Sequence, residues 1–209
     1  MHPGEDVDLA SDGATLKIAR RTVDTINAIN DYSPTNGLCM AWPPAARVVN
    51  STATLLENFD TALAHTMMPN FIPFISNRPT GGSGCNIENS GATVAVNDLL
   101  ASVHGHGASA SLRLFAGGWP AGEAVSFQDV RIRGAFTVSA AATGQAGDVA
   151  KLTGAVSVSS IAGNPLTFAW SAAGKPSVKE AGGAAVAVSA AGEGVWRFET
   201  KPGQQYSIA

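Results

Sequence analysis

Charge is sparse along this chain: 13 Lys and Arg and 16 Asp and Glu in 209 residues leave a formal net charge of −3. Nucleic-acid binding demands a basic stripe, and none is present, so nucleic acid is not expected as a partner. Polarity comes instead from Ser, Thr, Asn and Gly, which suits a secreted-type or sugar-handling surface. No apolar run approaches the ~20 residues of a membrane span, so no membrane partner is expected. Cysteine is limited to Cys39 and Cys85, far apart and without CxxC spacing. Two buried free thiols are the expected state, while a disulfide would require Cα atoms within about 7 Å. Met1-His2-Pro3-Gly4-Glu5-Asp6 has neither a basic n-region nor an apolar core, so it is not a signal peptide. Localisation stays open; a secreted or periplasmic parent would carry its signal upstream. Ser-His-Asp spacing, a Walker loop, a Rossmann fingerprint and internal repeats are also lacking, and no cofactor is expected.

What is present changes character near Gly105. A chain of this length buries one good core or two small ones. Before Gly105 the apolar residues recur at helical spacing. Leu16, Ile18, Ala19, Val23, Ile26 and Ile29 predict a helix over 14–30, ended by Asp31-Tyr32-Ser33-Pro34. A short second helix carries Trp42, Ala46 and Val48 and is interrupted by Pro43-Pro44. A third spans 51–67 and stops at Met68-Pro69-Asn70. A long loop over 71–88 contains Thr80-Gly81-Gly82-Ser83-Gly84; unstructured loops of this length are often functional. A fourth helix opens at Asn89-Ser90-Gly91, with Asn89 or Ser90 as N-cap and Gly105 as its stop.

From Ser111 the period becomes two. Strands are predicted over 111–115, 130–140, 149–159, 166–171, 184–189, 195–200 and 205–208, with turn residues between them. Residues 194–203 read as one arm of an antiparallel hairpin and its turn. The expected class is α+β: a partial (α/α)6-toroid helical segment over 1–106, incomplete by itself, then an antiparallel β-sandwich over 107–209.

The most suggestive chemistry lies in 81–91, around Cys85-Asn86-Ile87-Glu88-Asn89-Ser90. A carboxylate just before a helix is held ionised by the helix dipole and by unsatisfied N–H groups, as a general base requires. Asn86 and Asn89 beside it suit a water or a sugar hydroxyl, and the glycines allow close approach. Pattern alone favours an ordinary capped helix start with a flexible loop before it. Glu5 and Asp6 read as solvated terminal residues. His104-Gly105-His106 lacks a third ligand, so a polar turn ending a helix is expected rather than a metal site. His65 reads as a cap-region or core histidine. Trp42, Trp119 and Phe127 are either sugar-stacking surfaces or packing residues, with Trp119 assigned to an inter-domain core. Arg131 and Arg133 share a strand face and are expected to form an ion pair with the helical part. Asn50-Ser51-Thr52 fits a glycosylation sequon.

Taken together, these motifs resemble the C-terminal part of glycoside hydrolase family 95 catalytic modules, six-hairpin enzymes that include α-L-fucosidases and α-L-galactosidases. Leu112-Arg113-Leu114-Phe115, Trp119-Pro120 and Val130-Arg131-Ile132-Arg133-Gly134-Ala135-Phe136 are similar to that family's link into its sheet, where an Arg-x-Arg-Gly-Gly-Phe strand follows Trp-Pro. Asn86-Ile87-Glu88-Asn89-Ser90-Gly91 resembles the family's Gln-Ile-Asp-Gly-Asn-Phe-Gly, and the helix through Asp98-Leu99-Leu100 its leucine-rich successor. Trp42 and Ala46-Arg47 are similar to a family helix, and His2-Pro3-Gly4 to the Pro-Gly before the helices. The resemblance extends over nearly the whole chain.

The resemblance implies an O-glycosyl hydrolase acting by inversion on α-linked sugars, with Glu88 as general base where the family has aspartate. It implies Asn86, Asn89 and Trp42 as substrate-binding residues and an oligosaccharide or glycan as substrate. The family's general-acid glutamate and its paired asparagines have no counterpart here, so an upstream barrel segment of the same parent is the implied partner. The chain alone is expected to be inactive. The alternative reading is a non-catalytic carbohydrate-binding or structural module.

Overall fold

The computed structural model describes residues 6–30, 41–66, 86–147, 149–172 and 174–209. They divide into two compact units, 1–99 and 100–209. Among the described residues the class is α+β, four α-helices followed by two β-sheets. No toroid is evident among the described helices. Cys39, Cys85, His2-Pro3-Gly4, Glu5 and the glycine-rich 80–84 segment lie outside the described residues.

In the first unit, α1 (Gly13–Asn30) follows the predicted apolar stripe closely. Asp12 caps it: Oδ1 accepts the Ala14 and Thr15 amides at 3.0 Å each, and the Thr15 hydroxyl donates to Oδ2 at 2.7 Å. Ala19 and Val23 from the stripe are buried, while Ile18 and Ile26 stay exposed. The second helix, α2 (Trp42–Arg47), is not broken by Pro43-Pro44. Both prolines fall in its first turn, where an amide has no intrahelical partner to lose. α3 (Thr52–Thr66) begins beneath Ser51, whose hydroxyl accepts the Thr54 amide at 3.2 Å.

The fourth helix, α4 (Asn86–Leu100), differs from expectation at both ends. It starts three residues before Asn89, so Asn89 and Ser90 lie inside it rather than capping it. Its C-terminus is Leu100, not Gly105, because Ala101–His104 pair as a strand. Short apolar runs read equally well as helix or strand, and here antiparallel pairing with 111–114 decides.

The second unit holds twelve strands among its described residues, against seven predicted. One sheet has the order β1 (Ala101–His104), β2 (Ser111–Leu114), β7 (Leu166–Ala169), β11 (Val195–Phe198), β10 (Ser189–Gly192). It is mixed, since β2 and β7 run parallel. The other sheet is antiparallel, in the order β3 (Ala124–Ile132), β4 (Phe136–Gln145), β6 (Val156–Ser160), β12 (Gln205–Ile208), β8 (Val178–Glu180), β9 (Ala185–Val186), with β5 (Val149–Leu152) also on β4. The extra strands arise mostly from turns inside predicted runs, at 133–135, 153–155 and 187–188. The supposed hairpin over 194–203 is instead a crossover: β11 and β12 belong to different sheets, and β11 forms its hairpin with β10.

One core lies between the sheets. β4 alternates strictly, burying Phe136, Val138, Ala140 and Ala142, and Leu112, Leu166, Phe168 and Phe198 face them from the mixed sheet. An aromatic series crosses the sandwich from Trp170 to Phe168 (6.2 Å), Phe198 (6.0 Å) and Tyr206 (5.3 Å). Edge-to-face and tilted ring pairs of this kind contribute roughly 0.5–1.5 kcal/mol each beyond the area they bury. Trp119 packs at the margin of this core against Phe115 at 6.3 Å. Gly144 lets the Trp119-Pro120 segment lie directly on β4; a Cβ there would overlap the Pro120 carbonyl and sit 2.6 Å from that of Trp119.

The β3–β4 turn joins Ile132 to Phe136 through Arg133-Gly134-Ala135. Arg133 does not continue the strand face of Arg131. It lies in the turn, and its Nη2 donates to the carbonyls of Val103 (3.2 Å) and Gly105 (2.7 Å) within the same unit. Gly134 has φ +99°, and Ala135 has φ +65°, left-handed without being glycine. The turn is nevertheless docked, since Ile161 N donates to Ala135 O at 2.9 Å and Asn164 Nδ2 to Gly134 O at 3.0 Å.

Left-handed backbone costs a Cβ-bearing residue roughly 1–2 kcal/mol, partly offset in glycine by its greater freedom when unfolded. Ala135→Gly is therefore expected to stabilise the second unit by about 1 kcal/mol in urea unfolding; an unchanged or lowered midpoint would show that the turn carries no such strain.

The Asp12 cap predicts a pH dependence. The Thr15 hydroxyl, then the Thr15 amide, holds the Asp12 carboxyl below its usual value of 3.8. A depressed folded value gives stability that is complete above the unfolded value and lost as pH falls through the folded one. The stability difference between the native chain and Asp12→Ala should therefore be constant near neutrality and shrink below about pH 4. Urea midpoints at pH 7 and pH 3 measure it, and a difference that grows on acidification contradicts it.

Candidate functional site

The sequence singles out the start of α4, and the backbone places Glu88 as the third residue of that helix. Asn86 is the first residue and Asn89 the fourth. First-turn amides of an α-helix have no intrahelical acceptor, and the macrodipole favours negative charge there. The helix begins three residues earlier than the sequence suggests.

How α4 is fixed was not anticipated. Arg47, at the end of α2, is 4% exposed and reaches two carboxylates. Its Nη2 lies 3.3 Å from Asp8 Oδ2, and its Nη1 lies 3.4 Å from Asp98 Oδ1 on α4. Asp8 is equally enclosed, and its other oxygen, Oδ1, accepts the Ala10 amide at 2.8 Å. The Asp8 amide in turn donates to the Ser11 hydroxyl at 3.0 Å. One guanidinium thus joins the segment before α1, α2 and the C-terminal half of α4. Asp98 lies ten residues beyond Glu88, about 15 Å along the axis at 1.5 Å per residue.

The same short helix gathers its other neighbours. Arg20 of α1 donates from Nε to Val48 O at 2.8 Å and from Nη2 to Val49 O at 2.9 Å. Trp42 is 0% exposed and meets Phe59 of α3 edge-on, 4.8 Å between ring centroids at 87°. The indole is enclosed by protein in this arrangement, which is the packing alternative named for it above.

The histidines sit differently from expectation. His104 ends β1 rather than a helix and is fully buried, with Nε2 2.6 Å from the Ser102 hydroxyl. Serine and histidine two residues apart on a strand share a face, so the contact follows from the pleat. Both are enclosed, so the pair offers no accessible nucleophile. His106 is exposed, and no group of three or more His, Cys, Asp or Glu side chains among the described residues could hold a metal ion. In the sequon, Asn50 is exposed while Thr52 is fully buried.

Sequence reasoning missed Asp8 because an aspartate in an acidic run such as Glu5-Asp6-Val7-Asp8 looks solvated. The available signal was Arg47 itself, an arginine amid Trp42, Pro43, Pro44, Ala45, Ala46, Val48 and Val49, all buried. A charge placed in such a run requires partners.

Removing one partner of a buried ion pair costs about 3–5 kcal/mol, because the remaining charges are left uncompensated. Arg47→Leu strands two carboxylates and is expected to destabilise the first unit by that amount. Unfolding followed at a probe in the helical unit measures it, and a loss below about 1 kcal/mol would place the triad with weak surface pairs.

Compared with known proteins, the chain matches no family model, and no curated protein is significantly similar to it.

Proposed function

We propose that this chain is the C-terminal part of an inverting O-glycosyl hydrolase of the family 95 type, acting on α-linked sugars such as α-L-fucosides or α-L-galactosides. The observation that carries the reading is the position of Glu88 in the first turn of α4, a helix held from its other half by Arg47. The motif resemblance supplies the chemistry, since the family places its water-activating carboxylate in the corresponding segment.

In this reading the four helices are the closing part of an (α/α)6 barrel. The exposed apolar residues Ile18 and Ile26 on α1 and Val94 on α4 support it, as side chains that further helices would cover. The carboxylate of Glu88 takes a proton from water as the water attacks the anomeric carbon opposite the leaving group. Asn86 and Asn89 orient that water or a neighbouring hydroxyl. The general acid comes from the barrel segment, since inversion needs two carboxyl groups roughly 6.5–9.5 Å apart. Asp8 and Asp98 are committed to Arg47 and are not proton donors for this purpose.

The test is hydrolysis of aryl α-L-fucosides and α-L-galactosides by the catalytically complete protein and its Glu88→Gln variant. General-base loss should lower kcat by about 10²–10⁴-fold with little change in KM. Normal turnover by Glu88→Gln refutes the base assignment. Saturable sugar binding with no hydrolysis by the complete protein identifies a binding module instead.

A further inference from the structure

A cleft of about 360 Å³ opens in the helical unit between α1, α2 and α3, and none of residues 86–89 lines it. Its floor is apolar, formed by Val23 of α1, Ala45 of α2, Val48 and Val49 after it, and Leu55 of α3. Its rim is polar: Arg20, Asp24, Asn50, Ser51, Thr54 and Asn58. The volume lies near the lower end of small-molecule sites, which suits one ring-sized ligand rather than a peptide segment.

The rim is only partly used by the fold. Arg20 spends two of its five N–H groups on Val48 O and Val49 O, which fixes its guanidinium at the edge. Ser51 and Thr54 are engaged with each other in the α3 cap. The side chains of Asp24, Asn50 and Asn58 make no hydrogen bond or ion pair among the described residues. Among the described residues, donors and acceptors without protein partners therefore surround an apolar floor whose Val48 and Val49 carbonyls are held by Arg20.

The balance of these groups selects a ligand class. One guanidinium, already turned toward carbonyls, and one carboxylate leave no net charge to reward an ion of either sign. Side-chain amides offer donor and acceptor together, matching hydroxyls, which also act as both. Val23, Val48 and Leu55 suit the C–H face of a saturated ring. We infer that this cleft binds a neutral monosaccharide unit, with Asn50 and Asn58 hydrogen-bonding its hydroxyls and the valine–leucine floor covering its apolar face. The inference does not depend on Glu88 being a general base.

The test uses the full 209-residue chain. Backbone amide shifts are followed in titrations with L-fucose, D-galactose and D-glucose, and with D-glucuronate and D-glucosamine as charged counterparts. At least one neutral sugar should produce saturable shifts confined to residues 20–24, 48–51 and 54–58, with a dissociation constant in the millimolar range. Loss of one hydrogen-bonding side chain should weaken binding about tenfold, so Asn58→Ala and Asn50→Ala should each do so. Neither side chain makes a hydrogen bond among the described residues, so both variants should keep the native amide spectrum. Residues 86–89 do not line the cleft, so shifts over 20–24, 48–51 and 54–58 are read separately from any sugar held at the start of α4. No saturable shift with any neutral sugar, tighter binding of a charged counterpart, shifts centred elsewhere, or undiminished binding by both asparagine variants would overturn the inference.

Discussion

Six residues in the shape of a single helical turn and a half organise the helical unit, and their last side chain is the constraint on which the rest depends. Arg47 is buried with Asp8 on one side and Asp98 on the other. Two anions around one cation are a poor arrangement in an apolar interior unless geometry and further hydrogen bonds compensate them. Asp8 has the Ala10 amide for that purpose. Such an arrangement gives less net stability than a well-packed apolar group would, yet it tolerates little displacement. A buried charge without its partner is so costly that the three segments keep one register.

That constraint has consequences at both ends of α4. The helix ends at Leu100, and β1 begins at the next residue. Its N-terminus presents Glu88 in the first turn. A carboxylate there needs no elaborate local site to remain ionised, since unpaired amides and the dipole provide the field. The proposed base thus rests on a helix end of ordinary kind, held by an ion cluster of an uncommon kind. The cleft beside α1 and α3 depends on the same short helix, because Arg20 grips the carbonyls that follow Arg47.

Much of the architecture was legible where periodicity was long and unambiguous. The stripe from Leu16 to Ile29 located α1 within one residue, and Gln205–Ile208 was found with its limits correct. Legibility failed where local pattern and long-range pairing compete. Ala101-Ser102-Val103-His104 continues a helical pattern, but pairing with β2 makes it a strand. Arg133-Gly134-Ala135 sits inside an alternating run, and only the partner strand reveals a turn there, with alanine in a conformation usually left to glycine. The link between β11 and β12 looked like a hairpin because local turn chemistry does not say which sheet the next strand joins. For the site, the helix start at Asn86 was three residues from its expected place. Asp8 was invisible because sequence offers no measure of which distant arginine is buried.

The base role proposed for Glu88 fixes the configuration of the first-formed product, which must be inverted at the anomeric carbon. Early-time proton NMR of the catalytically complete protein acting on an α-linked fucoside or galactoside resolves the anomeric signal before mutarotation mixes it. Release of the β-anomer is the result predicted, since water activated by Glu88 approaches the face opposite the leaving group. Release of the α-anomer would mean a covalent glycosyl-enzyme route with a differently placed carboxylate, and would contradict the role given to Glu88.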